Sequence, residues 1–183
     1  MIEPGNGILL ISDPFLKDPN FMRSVVLLCE HNEQSSFGLV LNRKLEQTLD
    51  FFIHDLKDIA LPVFYGGPVQ LDTLHFLHRL PEAIPGGELL PGDIYWGGDF
   101  RIVIDGLISG TLDTDNIRFY LGYSGWSAGQ LQEEIEQKSW LTVPGNQKLV
   151  FGSDCDSLWK DALKEMGGAY EQLIHYPIDP QLN

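Results

Sequence analysis

Ser24-Val25-Val26-Leu27-Leu28-Cys29-Glu30-His31, followed after the polar stretch Asn32 to Ser36 by Phe37-Gly38-Leu39-Val40-Leu41-Asn42, decides the fold class. The unbroken apolar run Val25 to Cys29 suits a strand covered on both faces. It is far shorter than the ~20 residues that cross a bilayer as a helix. The two segments are predicted to form an antiparallel hairpin with its loop over Asn32 to Ser36.

Upstream, Ile8 to Ser12 is a further strand, and Asp13 to Phe21, with Pro14 and Pro19, is an ordered loop because each proline pushes its predecessor away from helix. Downstream, Leu45, Leu49, Phe52, Ile53 and Leu56 recur at helical spacing and predict a helix over Leu45 to Lys57. Strands follow at Val63 to Tyr65 and Thr73 to Leu80, where Leu74, Phe76 and Leu80 share a face. The acidic, turn-rich stretch Pro81 to Asp115 is given strands at Ile94 to Trp96 and Arg101 to Ile104 and a short helix at Asp105 to Leu112. Ile117, Phe119, Leu121 and Tyr123 alternate as a strand, and Gly122 to Gln130 is predicted to turn the chain. Ser127 with Gln130 has the spacing of a capping box that opens a helix through about Lys138, burying Leu131 and Ile135. Lys148 to Phe151 reads as a strand. The last helix starts near Asp154 or Asp156, buries Leu158, Ala162, Leu163 and Met166, and ends at Gly167-Gly168. Strands and helices without a regular alternation make this an α+β chain, with residues 1–183 expected to form a single domain.

Composition narrows the function. The chain has 183 residues, 43% of them hydrophobic, and 26 Asp and Glu against 12 Lys and Arg, for a net charge of −14. The cations are dispersed, so a non-specific grip on nucleic acid or anionic lipid lacks its usual footprint. Two cysteines, Cys29 and Cys155, make no disulfide framework, and the start Met-Ile-Glu-Pro-Gly lacks a basic n-region. A cytoplasmic protein is expected.

Motifs of known chemistry are tested and mostly fail. Gly122-Tyr123-Ser124-Gly125-Trp126 has the look of a nucleophile elbow, but Trp126 stands where the strained turn needs glycine. His75 and His78, three apart on a strand, point to opposite faces and cannot chelate together. No metal, cofactor or catalytic residue is assigned. The acids Glu133, Glu134 and Glu136 suit a solvated helix start.

Taken together, the segments resemble the YqgE/AlgH family of bacterial proteins. The resemblance rests on Gly7 to His31, with its Asp18-Pro19, Phe21 and Arg23-Ser24 elements, on Gly38-Leu39-Val40-Leu41-Asn42-Arg43, on Gly66-Gly67-Pro68-Val69 with His78, and on Leu121-Gly122-Tyr123, Gly125-Trp126 and Gly129-Gln130-Leu131 with Glu134 and Trp140. It implies an α+β fold with a mixed, barrel-like sheet surrounded by helices, and it brings no settled activity. Members are labelled transcriptional regulators because one was linked to control of alginate production. Ser124 departs from the small, non-nucleophilic residue the pattern implies there.

Arg23, Glu30, His31, Asn42, Tyr123, Trp126 and Gln130 are the candidate site residues, offered as a surface for a protein partner or a small anionic ligand. The leading expectation is a regulatory, non-enzymatic protein that does not touch DNA directly. Its rival is a hydrolase in which His31 with Glu30 acts as base and Arg23 or helix amides hold an anion. Convergence of these residues in one cleft would favour the rival.

Overall fold

An apolar run with no polar alternation must be covered on both sides. In the computed structural model, which describes residues 2–152 and 154–176, strand β2 (Val25–His31) lies between β1 (Ile8–Ser12) and β3 (Ser35–Val40), antiparallel to both. Val25, Leu27 and Cys29 enter one core with Leu9, Ile11, Leu39 and Leu41, while Val26 and Leu28 enter another with Leu10 and Val40. All are 0% exposed. Leaving water contributes roughly 1.5–3 kcal/mol for each large aliphatic side chain, so the run is a main source of cohesion.

The hairpin extends into a curved, half-barrel-like sheet through β4 (Lys44–Thr48), β5 (Pro62–Tyr65), β6 (Val69–His78), β7 (Glu88–Leu90), β8 (Ile94–Trp96), β9 (Ile117–Ser127) and β10 (Trp140–Pro144). The strand order is β10-β1-β2-β3-β9-β6-β8-β7, with β5 also on β9 and β4 on β5. The β5–β9 pairing is parallel, so the sheet is mixed. Among the described residues four α-helices surround it: α1 (Leu49–Phe52), α2 (Phe100–Ser109), α3 (Gln130–Glu136) and α4 (Cys155–Met166). Leu158, Trp159, Ala162 and Leu163 of α4 fill the core shared with Val25 and Leu27. Val103 and Leu107 of α2 cover Phe76, Ile117 and Phe119, and Leu131 of α3 joins Val26 and Leu28.

One edge of β9 changes neighbour part-way along. Phe119–Leu121 pair with β5, whereas Ser124–Ser127 pair with β3. Gly66 stands at the change: its N–H donates to the Leu121 carbonyl (2.8 Å), and its own carbonyl accepts from the Val40 N–H (2.8 Å) and the Ser124 hydroxyl (3.0 Å). A Cβ on Gly66 would lie 2.3 Å from the Gly122 carbonyl oxygen, so only glycine permits the approach.

Several sequence expectations are corrected. The helix predicted over Leu45 to Lys57 is instead β4, the single turn α1 and a 3₁₀ turn at His54–Leu56. Leu45 and Leu49 are four apart, a spacing that serves one side of a strand as well as a helix, and pairing with β5 decides it. Arg101 to Ile104 is helical, not a strand. The Asp99 carboxylate caps α2 by accepting from the N–H groups of Arg101 (3.0 Å) and Ile102 (3.3 Å), and Gly110 ends it with φ +68°, so the helix stops short of the predicted Leu112.

Gly122 to Ser127 does not turn the chain but continues β9, and α3 begins at Gln130. The capping interaction is half formed, since the Ser127 N–H donates to Gln130 Oε1 (3.1 Å) while Gly129 occupies the cap position. Lys148–Gly152 is a π-helical turn in place of a strand, with Leu149, Val150 and Phe151 all buried. The hairpin loop is shorter than predicted, because Ser35 and Ser36 already belong to β3. Strands β7 and β10 lie where no strand was predicted.

Candidate functional site

The seven side chains chosen from the sequence fall into small groups, each with its own bonding partners. Asn42 binds the chain before β2: its Oδ1 accepts from the Val25 N–H (3.0 Å) and its amide donates to the Arg23 carbonyl (2.9 Å). Arg23 adopts φ +51°, lies with its guanidinium carbon 4.6 Å from the Trp159 ring centre, and donates to the Tyr176 carbonyl. Burial lowers its pKa from the ordinary arginine value. Arg43 secures the same loop by donating to the carbonyls of Pro19 (2.8 Å) and Met22 (3.0 Å).

Glu30 and His31 end β2. The Glu30 carboxylate accepts from the Asn32 amide (2.9 Å), and His31 Nδ1 is 2.7 Å from the Ser36 hydroxyl. The two are successive strand residues, Glu30 opposite Phe37 and His31 opposite Ser36, so they project to opposite faces. Glu30 therefore does not orient His31. Ser124, the motif serine, is fully buried and donates to the Gly66 carbonyl.

Trp126 and Gln130 meet at Glu134. The indole N–H groups of Trp126 (2.9 Å) and Trp140 (2.8 Å) both donate to Glu134 Oε2, and the Gln130 amide donates to Oε1 (3.0 Å). Trp126 and Trp140 are buried at 4% and 1% exposure, and Phe21 packs against both rings. Glu134 thus ties α3 to the sheet. Tyr123 stacks on Phe37, ring centres 4.5 Å apart. Arg23 and Asn42 thus meet before β2, while His31 bonds to Ser36 and Gln130 to Glu134.

A different pair of residues lines one cleft. Arg79 follows β6 and Arg118 lies in β9, brought together by antiparallel pairing that sets Leu77 opposite Arg118. Arg79 donates through Nε to the Asn116 side chain, which in turn donates to Asp113, the cap of the turn Thr114–Asn116. Arg118 donates to the Phe151 carbonyl (2.8 Å). Each guanidinium also lies against an aromatic ring, Arg79 over Phe151 (5.3 Å) and Arg118 over Phe64 (5.4 Å).

Both arginines line a cleft of about 360 Å³ with Leu61, Pro62, Ile117 and Phe119, and with Asp115. Neither forms an ion pair with a carboxylate among the described residues. One N–H of each guanidinium is engaged by the side-chain bonds above, and the planar fork offers five. Such a cleft can hold an oxyanion by bidentate hydrogen bonds while its apolar walls cover the rest of the ligand. Sequence reasoning missed this pair because two single cations far apart in the chain look like solvated surface. The available signal was Arg118 itself, a charge in the Ile117 to Tyr123 alternation on the face that carries Tyr120.

Among the described residues no group of three His, Cys, Asp or Glu is placed to hold a metal, and no helix is long and apolar enough to cross a membrane. Cys29 and Cys155 are free thiols.

A family model described as AlgH-like matches residues 9–171. A UPF0301 protein of Cytophaga hutchinsonii is 44% identical over 178 residues, 97% of this chain and 98% of that protein. One from Chlorobium limicola is 39% identical and covers 97% and 95%. The solution structure of the AlgH protein from Pseudomonas aeruginosa superimposes with a TM-score of 0.73 at 30% identity, covering 97% of this chain and 98% of that one. The crystal structure of protein DIP2367 from Corynebacterium diphtheriae gives a TM-score of 0.78 at 20% identity over 96% and 94%, a likeness of fold.

Proposed function

The chain belongs to the AlgH-like family, and from that membership and its own geometry we propose that it works by binding, as a non-enzymatic regulatory protein whose small anionic ligand sits between Arg79 and Arg118. The observation that carries this reading is the cleft of about 360 Å³ that two guanidinium groups, in no ion pair with a carboxylate among the described residues, line together with apolar Leu61, Pro62, Ile117 and Phe119 and with Asp115. In a chain of net charge −14, two such cations side by side are a local exception to the prevailing field. The seven sequence-chosen residues support the same reading from the other side, because most of their polar groups are taken up in internal bonds. Regulation then passes from ligand to a protein partner, not to DNA. Cytoplasmic residence belongs to the proposal, supported by the two free thiols.

Nuclear magnetic resonance titration with phenyl phosphate tests the site. Saturable shifts at Arg79, Arg118 and Phe151 are expected, weakened about tenfold in Arg79→Ala, the value of one lost charge-assisted contact. Shifts scattered over the surface, or an unchanged affinity in Arg79→Ala and Arg118→Gln, overturn it. The hydrolase alternative, with His31 as base, predicts ester hydrolysis lost in His31→Ala, where His31 Nδ1 has the Ser36 hydroxyl as its neighbour. Equal background rates in wild type and that variant remove it.

A further inference from the structure

A second surface, separate from the arginine cleft, crosses six strands. In the order β2-β3-β9-β6-β8-β7 it runs Glu30, Phe37, Tyr123, His75, Trp96, Glu88. The aromatic members touch in series: Phe37 lies 4.5 Å from Tyr123, 4.9 Å from Trp96 and 5.2 Å from His75, centre to centre. Register closes both ends with acid, Glu30 opposite Phe37 and Glu88 opposite Trp96. All four rings are half-buried, and the two glutamates are exposed.

Beside the row lies a cleft of about 310 Å³ lined by Leu74, His75, Glu88 and Trp96 among others, with no lysine or arginine in its wall. His75 Nε2 is buried there without a hydrogen-bond partner among the described residues, an unsatisfied polar atom that favours a ligand able to hydrogen-bond to it. Burial lowers the His75 pKa, so the ring is neutral near pH 7 and adds no positive charge to the row. On the β8 side, β6 pairs only through Leu77 and His78, so among the described residues Leu71 to His75 have no strand along that edge; Leu71 to Thr73 lie in the bulge by which β6 shifts register on β9 between Val69 and Leu74. Exposed Asp72 adds a further acid to it.

We propose that this row and the open edge of β6 form the docking site for an extended, basic peptide segment of a protein partner. The peptide backbone adds to the edge at Leu71 to His75, and one lysine or arginine side chain lies on Trp96 and His75 against Glu88. Aromatic faces attract a cation through their quadrupole, and flanking carboxylates supply the net charge such cages use. The open edge supplies main-chain hydrogen bonds, the usual basis of strand addition, and so selects a peptide over a free amine. Charge complementarity favours a basic occupant throughout: the row holds two carboxylates, and the whole chain carries −14.

The test uses the full chain with the peptide acetyl-Lys-Val-Lys-Val-Lys-amide, its glutamate counterpart, and N-acetyl-lysine methylamide, followed by tryptophan fluorescence and backbone amide shifts. Saturable binding of the lysine peptide at concentrations up to about 1 mM is expected, with shifts confined to Leu71–His75, Glu88 and Trp96, and no binding of the glutamate peptide. Glu88→Gln keeps shape and removes charge, and should weaken binding about tenfold, as should Trp96→Leu. The single amino acid should bind at least about tenfold more weakly than the peptide, since it brings no strand. Absence of binding, shifts elsewhere, indifference to Glu88→Gln, or equal affinity for the lone lysine each overturn the proposal.

Discussion

Replacing Glu134 by alanine removes one carboxylate that three donors share. Two of those donors are the indole N–H groups of Trp126 and Trp140, whose residues are 4% and 1% exposed, so neither gains water in exchange. A buried donor left unpaired costs about 1–3 kcal/mol, and two of them about 2–6 kcal/mol. The third donor, from exposed Gln130, adds only a few tenths of a kcal/mol, roughly the value of a surface helix pair. Relaxation of the end of α3 offsets part of this, and we take about 3 kcal/mol as the expected loss. For a chain of this size each kcal/mol moves Tm by about 2–4 °C, so Tm should fall by about 6–12 °C. Calorimetry and urea titration read both quantities. Glu136→Ala on the same helix, where the carboxylate accepts only from exposed Gln132 (3.0 Å), is the control and should cost less than about 0.5 kcal/mol. A loss for Glu134→Ala no larger than that control refutes the reasoning, and so does additivity with Trp126→Phe, since the two changes remove one shared bond.

Gly67→Ala should cost at least about 3 kcal/mol or abolish folding, because its Cβ would fall 2.2 Å from the Tyr123 carbonyl group, whereas Gly97→Ala, with φ +69° and open space, should cost only about 1–2 kcal/mol of backbone strain in the same urea titration. Asn42→Ala should lose about 2 kcal/mol in urea unfolding by leaving the Val25 N–H buried without an acceptor, and Asn42→Asp, which retains the acceptor, should recover part of it. His75 is held below the ordinary histidine pKa by burial, so the unfolded chain takes up a proton before the folded one does. Stability should therefore decline as pH falls below about 6.5, and the wild-type decline should exceed that of His75→Phe; parallel Tm–pH curves for the two proteins would refute it.

Strand β2 was legible because Val25 to Cys29 is apolar at every position, a pattern that few environments other than a doubly covered strand satisfy. Helix α4 was legible through its apolar stripe and Gly167 stop. Where reading failed, two patterns coincided or a distant partner decided. Arg101-Ile102-Val103-Ile104 has the branched apolar run of a strand, yet α2 is apolar around much of its circumference, leaving Phe100, Ile102 and Ile108 exposed. Its cap residue, Asp99, was the local signal for helix. Leu149, Val150 and Phe151 are buried together, and a run buried all round has no period to read. The polar family residues marked contacts that hold loops and helix ends, while the arginine cleft arises from strand pairing that no local window contains.

Gly122-Tyr123-Ser124-Gly125-Trp126 reads at first as a slack, glycine-rich connection. In the molecule it is tied on both sides, because one edge of β9 answers to β5 at Phe119–Leu121 and to β3 at Ser124–Ser127, while β6 holds the other edge. A slip of one residue there would reverse the facing of Tyr120 and Phe119 in two cores at once, and neither β3 nor β5 could absorb the error alone. The strand acts as a shared ruler for both parts of the sheet. Its glycines are the graduation marks: they set where one neighbour must stop and the next begin, and variation in this stretch is read twice by the fold.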